Sequence, residues 1–137
     1  MAYIDVIDEC KRYQTGDTTI MANDHVTFGV EKGELAIVLG SSGAGKSTVL
    51  NILGGMDTVS EGHVVIDGND IATYDKHGLT RYRRDDVGFV FQFYNLVQNL
   101  TAKENVELAS EIVADAMDPV EVLNMVGLSK RANNFPA

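Results

Sequence analysis

The chain has 137 residues, enough for one domain that buries roughly two-thirds of the surface its unfolded form would expose. Apolar residues make up 45% and charged residues 23%, both globular values, and no run approaches the roughly 18 consecutive apolar residues of a membrane span, so any membrane role is peripheral. A net charge of −9 argues against nucleic-acid binding, which needs clustered Lys and Arg against phosphate backbones.

Met1-Ala2-Tyr3-Ile4-Asp5 carries neither the basic segment nor the apolar stretch of a secretory signal and reads as a cytosolic start. Residues 4–13 alternate weakly, as in an edge-type strand, and Gln14-Thr15-Gly16-Asp17 is turn chemistry. Cys10 on that strand is the only cysteine; it cannot form an internal disulfide, fits a reducing compartment, and reads as a small buried or half-buried side chain. Val26, Phe28 and Val30 alternate with Thr27, Gly29 and Glu31 in a second strand, after which Glu31-Lys32-Gly33-Glu34 turns the chain. Residues 35–39 are apolar without alternation, the pattern of a strand covered on both faces in a parallel sheet.

Farther on, Val49, Leu50, Ile52, Leu53 and Met56 recur at helical spacing, with Gly54-Gly55 where that helix stops. Ser60-Glu61-Gly62 turns into an apolar strand over residues 63–67, and Asp67-Gly68-Asn69-Asp70 reads as a hairpin or bulged corner. A short polar helix is expected over residues 79–84. Its basic knot, Arg81-Tyr82-Arg83-Arg84, runs straight into Asp85-Asp86 and reads as a solvated face. Residues 87–91 form a second strongly β-prone run. Thr101-Ala102-Lys103-Glu104 matches a capping box, and Val106, Ala109, Ile112, Val113 and Met117 continue an apolar stripe behind it. Asp118-Pro119 starts another helix, which Gly127 closes.

The chemistry is concentrated in residues 40–48, GSSGAGKST, which satisfy G-x-x-x-x-G-K-[ST] between an expected buried strand and an amphipathic helix. Glycines allow a backbone whose N–H groups close around phosphate oxygens, and the following helix adds its free N-terminal N–H groups and the positive end of its dipole. Lys46 supplies a point charge for the β- and γ-phosphates, and Ser47 a hydroxyl ligand for Mg2+. A guanine-reading N-K-x-D is absent from the sequence. D-x-x-G occurs at Asp75 to Gly78 and Asp85 to Gly88 without a preceding hydrophobic strand, and is read as chance. Val64-Val65-Ile66-Asp67 has the outline of a Mg2+-binding strand end, but Gly68 follows where a second carboxylate would be needed, and the Asp-Gly pair is better turn chemistry.

Taken together, the GSSGAGKST loop, Asn51-Ile52-Leu53-Gly54-Gly55, Ser60-Glu61-Gly62 with Asp67-Gly68, and Val90-Phe91-Gln92-Phe93-Tyr94-Asn95-Leu96 closely resemble the nucleotide-binding subunits of ABC transporters. Arg83-Arg84 before Val87-Gly88-Phe89-Val90-Phe91-Gln92, and residues 99–106 after it, resemble the branch of lipoprotein-release and macrolide- or peptide-export ATPases. The resemblance implies an α/β fold, a partial P-loop NTPase domain of the ABC ATPase kind. It would comprise an antiparallel β subdomain, a P-loop strand-helix core and the start of a helical subdomain, divided as an ATP-binding core over residues 1–92 and a Q-loop with helical part over 93–137.

The resemblance further implies ATP and Mg2+ as cofactors. Gly40, Ser41, Ser42, Gly43, Ala44, Gly45, Lys46, Ser47 and Thr48 would cradle the phosphates, and Tyr13 would stack on adenine. Gln92 would reach Mg2+ or the attacking water, leaving Lys46 and Gln92 as the catalytic pair and Ser47 and Gln92 as the metal contacts. Phe93, Tyr94, Leu96 and Val97 would form the wall that meets a membrane permease. The family acts as a head-to-tail dimer, cytoplasmic and peripheral on the inner face of the cell membrane.

The family pattern departs after Ala137, where an L-S-G-G-Q-type signature, a Walker B Asp, a catalytic Glu and a switch His would follow. The expectation is therefore a truncated ATPase subunit that binds nucleotide at most, since phosphoryl transfer depends on positioning and charge stabilisation. An unpaired edge beside residues 35–39 would favour self-association or swapping. A stand-alone P-loop module that holds nucleotide or phosphate for regulation or assembly without turnover is the competing reading, and a P-loop kinase or GTPase a third.

Overall fold

The computed structural model describes residues 2–41, 43–92 and 95–136. They fall into two compact units, Met1–Gly88 and Phe89–Ala137.

The first unit is built on an antiparallel four-stranded sheet, β1 (Ile4–Thr15), β2 (Thr18–Val30), β3 (Glu61–Ile66) and β4 (Asn69–Asp70), in the order β2-β1-β3-β4. Gly16-Asp17 joins β1 to β2 with Thr15 opposite Thr18, so the expected turn forms and both strands run longer than expected. β1 is not the edge strand its weak alternation suggested. β3 returns to pair with its free side, Ile4 opposite Ile66 and Val6 opposite Val64, which places β1 in the middle of the sheet. The Asp67-Gly68 pair makes a two-residue turn with positive φ at both positions, and Ile66 faces Asn69 across it. Asp67 is thus a turn residue, as its Gly neighbour implied.

Helix α1 (Lys46–Leu53), a 3-10 turn (Ile71–Thr73) and helix α2 (Lys76–Asp85) contribute to a core of Val6, Ile52, Val64, Ile71 and Tyr82. Alternation on β1 and β3 directs Val6 and Val64 toward the core, and the apolar stripe of α1 brings Ile52 to meet them. Asp75 N-caps α2 by accepting the Gly78 N–H at 2.7 Å, which gives this D-x-x-G a local structural role.

Two buried side chains break the pattern, Glu9 on β1 and Asn23 on β2, whose Oδ1 has no hydrogen-bond partner among the described residues. Glu9 on β1 is 1% exposed, and neither carboxylate oxygen has a hydrogen-bond partner among the described residues. Val6, Val49, Ile52, Leu53 and Val64 surround the same small void. Burial raises the Glu9 pKa above the ordinary carboxylate range, with the Lys11 charge opposing the shift.

In the second unit, helix α3 (Ala102–Ser110) opens with the expected capping box: the Thr101 hydroxyl accepts the Glu104 N–H at 3.2 Å, and the Glu104 carboxylate accepts the Thr101 N–H at 2.9 Å. The Ala102 and Lys103 N–H groups donate to the carbonyls of Asn134 and Ala132, completing that terminus. Helix α4 (Pro119–Met125) starts at an Asp118 cap and ends at Gly127. Leu128 N–H bonds to Leu123 O and Gly127 N–H to Asn124 O, the paired bonds of a Schellman motif. The stripe expected to run on through Met117 stops earlier, at Ser110.

Two expected strands are not formed. Residues 35–39 and 87–91 are irregular, with Leu35 89%, Leu39 86% and Val90 fully exposed. A parallel strand needs hydrogen-bonding neighbours and apolar cover on both faces, and among the described residues no strand pairs with either run. Within the second run the Phe89 and Phe91 rings stack at 5.6 Å.

Two expectations follow. The chain should self-associate in light scattering, and replacing Leu35, Ile37 and Leu39 by Ser should raise the monomer fraction; a monodisperse parent chain would refute this. Glu9→Leu should stabilise the fold by about 1–3 kcal/mol in urea unfolding at pH 7, because it removes an unpaired polar group from an apolar setting. No gain would mean that Glu9 finds solvent or a partner.

Candidate nucleotide site

Within the P-loop the Ala44 N–H donates to Ser41 O at 3.1 Å. Gly43 and Gly45 both have left-handed backbones, φ 81° and 86°. At Gly45 the requirement is doubled, since a Cβ there would lie 2.3 Å from Ala22 O and 2.6 Å from Asn23 Nδ2. The loop thus lies against β2, and Asn23 is the reason. Its buried amide donates to Ala22 O at 2.9 Å and to Gly45 O at 3.2 Å, tying the residue that caps α1 to the sheet.

Helix α1 starts at Lys46 with no side-chain cap and no acidic residue in its first turn. Its leading N–H groups and dipole therefore retain their capacity for an anion. Lys46 Nζ donates to Gly40 O at 2.6 Å and Ser41 O at 2.7 Å, which uses two of its three N–H bonds and curls the ammonium over the loop. Gly40 is held close as well, since a Cβ there would lie 3.2 Å from Ala44 Cβ. Ser47 is exposed at the second helical position, and Thr48 is half-buried beside it.

The far end of α1 is held from α2. The Tyr82 hydroxyl donates to Leu53 O and the Arg83 guanidinium to Gly55 O, each at 2.6 Å, answering carbonyls that a helix end leaves without partners. Burial pushes the Tyr82 pKa up to about 12. Half of the basic knot expected to be solvated is therefore structural: Arg83 anchors α1, while Arg84 pairs with its neighbour Asp85.

Tyr13, the expected adenine platform, is 40% exposed on β1, and its hydroxyl donates to the Asp57 carboxylate. That hydrogen bond is the main cause raising the Tyr13 pKa. Lys11 Nζ lies 5.1 Å from the Tyr13 ring centroid and 2.8 Å from Asp57 Oδ1, and donates to Thr58 O at 2.6 Å. Partial burial works against the Asp57 charge, but hydrogen bonds from Lys11, Tyr13 and the Thr58 N–H outweigh it and hold its pKa below the ordinary value.

Asn23 and Asp57 were not anticipated. The one available signal was Lys11 and Tyr13 at i and i+2, which shares a face on a strand; nothing local marks their partner. Ser42, expected in the phosphate cradle, and Phe93 and Tyr94, expected in the docking wall, lie outside the described residues. Gln92 is exposed in the second unit, as are Leu96 and Val97.

An uncapped helix N-terminus behind a glycine loop, with a lysine folded over it, defines a P-loop NTPase. The family comparison is more specific: the ABC transporter family matches residues 23–136, and the chain belongs to that family. It is 38% identical over 132 residues to the macrolide export ATP-binding/permease protein MacB of Bradyrhizobium diazoefficiens, covering 93% of this chain and 20% of that protein. An uncharacterised ABC transporter ATP-binding protein of Mycobacterium tuberculosis is 38% identical over 129 residues, covering 90% of this chain and 52% of the relative.

Among solved structures, the ATP-binding cassette MJ0796 superposes with a TM-score of 0.87 at 39% identity in a dimeric post-hydrolysis state bound to ADP and Pi. The match covers 97% of this chain and 61% of that one. A second dimeric structure of that cassette gives 0.86. The fold is that of an ABC ATPase cassette, and the chain spans about half the length of a cassette-sized relative. No helix among the described residues is long and apolar enough to cross a membrane.

Gly45→Ala should destabilise the first unit by at least about 1–2 kcal/mol, combining a left-handed backbone with a backbone clash. Asn23→Ala should cost about 1–3 kcal/mol through the lost tie to Gly45. Denaturant unfolding measures both, and wild-type stability for Gly45→Ala would show that the loop is not held against β2.

Proposed function

We propose that this chain is the nucleotide-binding part of an ABC transporter ATPase of the macrolide- or lipoprotein-export kind, whose ATP use drives export through a membrane permease. The uncapped N-terminus of α1 behind the glycine loop carries this reading, and the similarity to MacB supports the export branch. Mg-ATP would be held with its phosphates against the N–H groups of residues 40–48 and Lys46, Ser47 on the metal, and Tyr13 against adenine. The residues fit that group: Lys46 spends two of its three N–H bonds on Gly40 and Ser41, Ser47 is exposed, and no side chain among the described residues caps the α1 terminus.

When bound, the nucleotide supplies the γ-phosphoryl group. The chain's part is to bind and orient it. Gln92 is assigned the position that meets the metal or the water, and the segment after it the contact with the permease. Residues 1–92 would be the binding core and 93–137 the Q-loop and helical portion. The second metal carboxylate and the water-orienting Glu are not among these residues, so the 137-residue chain should bind nucleotide with little or no turnover. Placement at the inner face of the membrane would follow from the permease, and dimer formation would follow the cassettes it superposes on.

In thermal unfolding, Mg-ATP at a hundred times its dissociation constant should stabilise the first unit by about 2.7 kcal/mol. Lys46→Ala should abolish that gain, and Tyr13→Ala should weaken it. The absence of any shift with Mg-ATP in the parent chain would overturn the assignment.

A further inference from the structure

β1 is irregular on both of its edges around Asp8, Glu9 and Cys10. Against β2 the register runs from Glu9 opposite Val26 to Lys11 opposite Asn23, so Cys10 alone faces the two residues Asp24 and His25. This is a two-against-one bulge, and His25 adopts φ 49° within it. Consecutive strand residues ordinarily point to opposite faces. Here the bulge turns Asp24 and His25 toward the same side, and the Cys10 sulfur, a His25 ring nitrogen and an Asp24 carboxylate oxygen all lie within 4.8 Å of one another.

We propose that Cys10, Asp24 and His25 form a binding site for a zinc-type divalent cation, unrelated to the nucleotide site. The donor set is thiolate, imidazole and carboxylate, the combination that a borderline-soft ion accepts and that Mg2+ does not favour. Bond lengths of about 2.0–2.3 Å would put the ligand atoms roughly 3.3–3.8 Å apart, so side-chain rotations of about 1 Å close the site. His25 Nδ1 and Asp24 Oδ1 share a hydrogen bond of 2.6 Å, which opens to the ligand spacing on binding as its proton leaves for solvent or for Nε2.

The sulfur is fully buried at the base of the site, whereas the Asp24 and His25 side chains are about two-thirds exposed, so an ion enters from solvent through the two rim ligands. On binding, the Cys10 thiol proton passes to solvent and the sulfur bonds the metal as thiolate, leaving a fourth position for water.

The test is a Co2+ titration of the reduced 137-residue chain without nucleotide. One equivalent should produce the near-ultraviolet thiolate-to-cobalt charge-transfer absorption, and Zn2+ should displace it. Cys10→Ser should abolish the band. His25→Asn, which tolerates the left-handed backbone, and Asp24→Asn should each weaken affinity by about tenfold or more. A parent chain that gives no such band, or a band that persists in Cys10→Ser, overturns the proposal. Should Cys10→Ser not fold by circular dichroism, the two surface variants decide, and unchanged Co2+ affinity in both overturns it. Because no nucleotide is present, the outcome is independent of the ATP-binding assignment.

Discussion

Everything the P-loop can do depends on holding α1 at both ends from outside the helix. At eight residues it is too short to persist alone in water, where isolated helices need about 12–15 residues even in favourable sequences. Asn23 on β2 ties down Gly45 at its start, and Tyr82 and Arg83 on α2 take the carbonyls of Leu53 and Gly55 at its end. Between those ties, Val49 and Ile52 are buried beneath it. The helix can leave its N-terminal N–H groups without a cap because its stability comes from elsewhere. A capping Ser or Asp at position 45 would satisfy those groups and compete with a phosphate for them.

The antiparallel sheet is the foundation of that arrangement, and it carries irregularities of its own. β1 is bulged against both neighbours within three residues, and Asp8, His25 and Gly62, one on each of three adjacent strands, all take positive φ there. Non-glycine residues in that region are uncommon and cost energy, so the surrounding pairing has to impose them. Glu9 sits within this bulged stretch with its carboxylate facing the apolar side, under the same helix that carries the P-loop.

What could be read from the sequence was whatever a few adjacent residues encode. The Thr101 and Glu104 box, Asp118-Pro119, Gly127 and the Asp67-Gly68 turn each involve partners within about five positions, and each formed as its chemistry dictates. The GKS loop belongs to the same class, since its glycines, lysine and helix start are contiguous. What could not be read depends on distant partners. β1 is central because β3 returns to it some fifty to sixty positions later, and Asp57 joins Lys11 and Tyr13 from some forty-five positions away. Asn23 carries no mark in a strand of ordinary β composition, yet it fixes the position of Gly45.

Residues 35–39 show the same division from the other side. Their apolar run is a correct signal for a strand buried on both faces, but such a strand draws its stability from neighbours that no local residue supplies. The phosphate loop immediately after it does not share that dependence. Its turn closes on Ser41 and Ala44, its lysine on Gly40 and Ser41, and its helix on β2 and α2. The glycine loop is therefore formed by the local chain and one antiparallel sheet while the run leading into it stays irregular. On the proposed reading, binding of phosphate and the chemistry of its transfer would be separable along an ABC sequence: the first would rest on contiguous residues and the three side-chain ties from Asn23, Tyr82 and Arg83, and the second on carboxylates carried in by other strands.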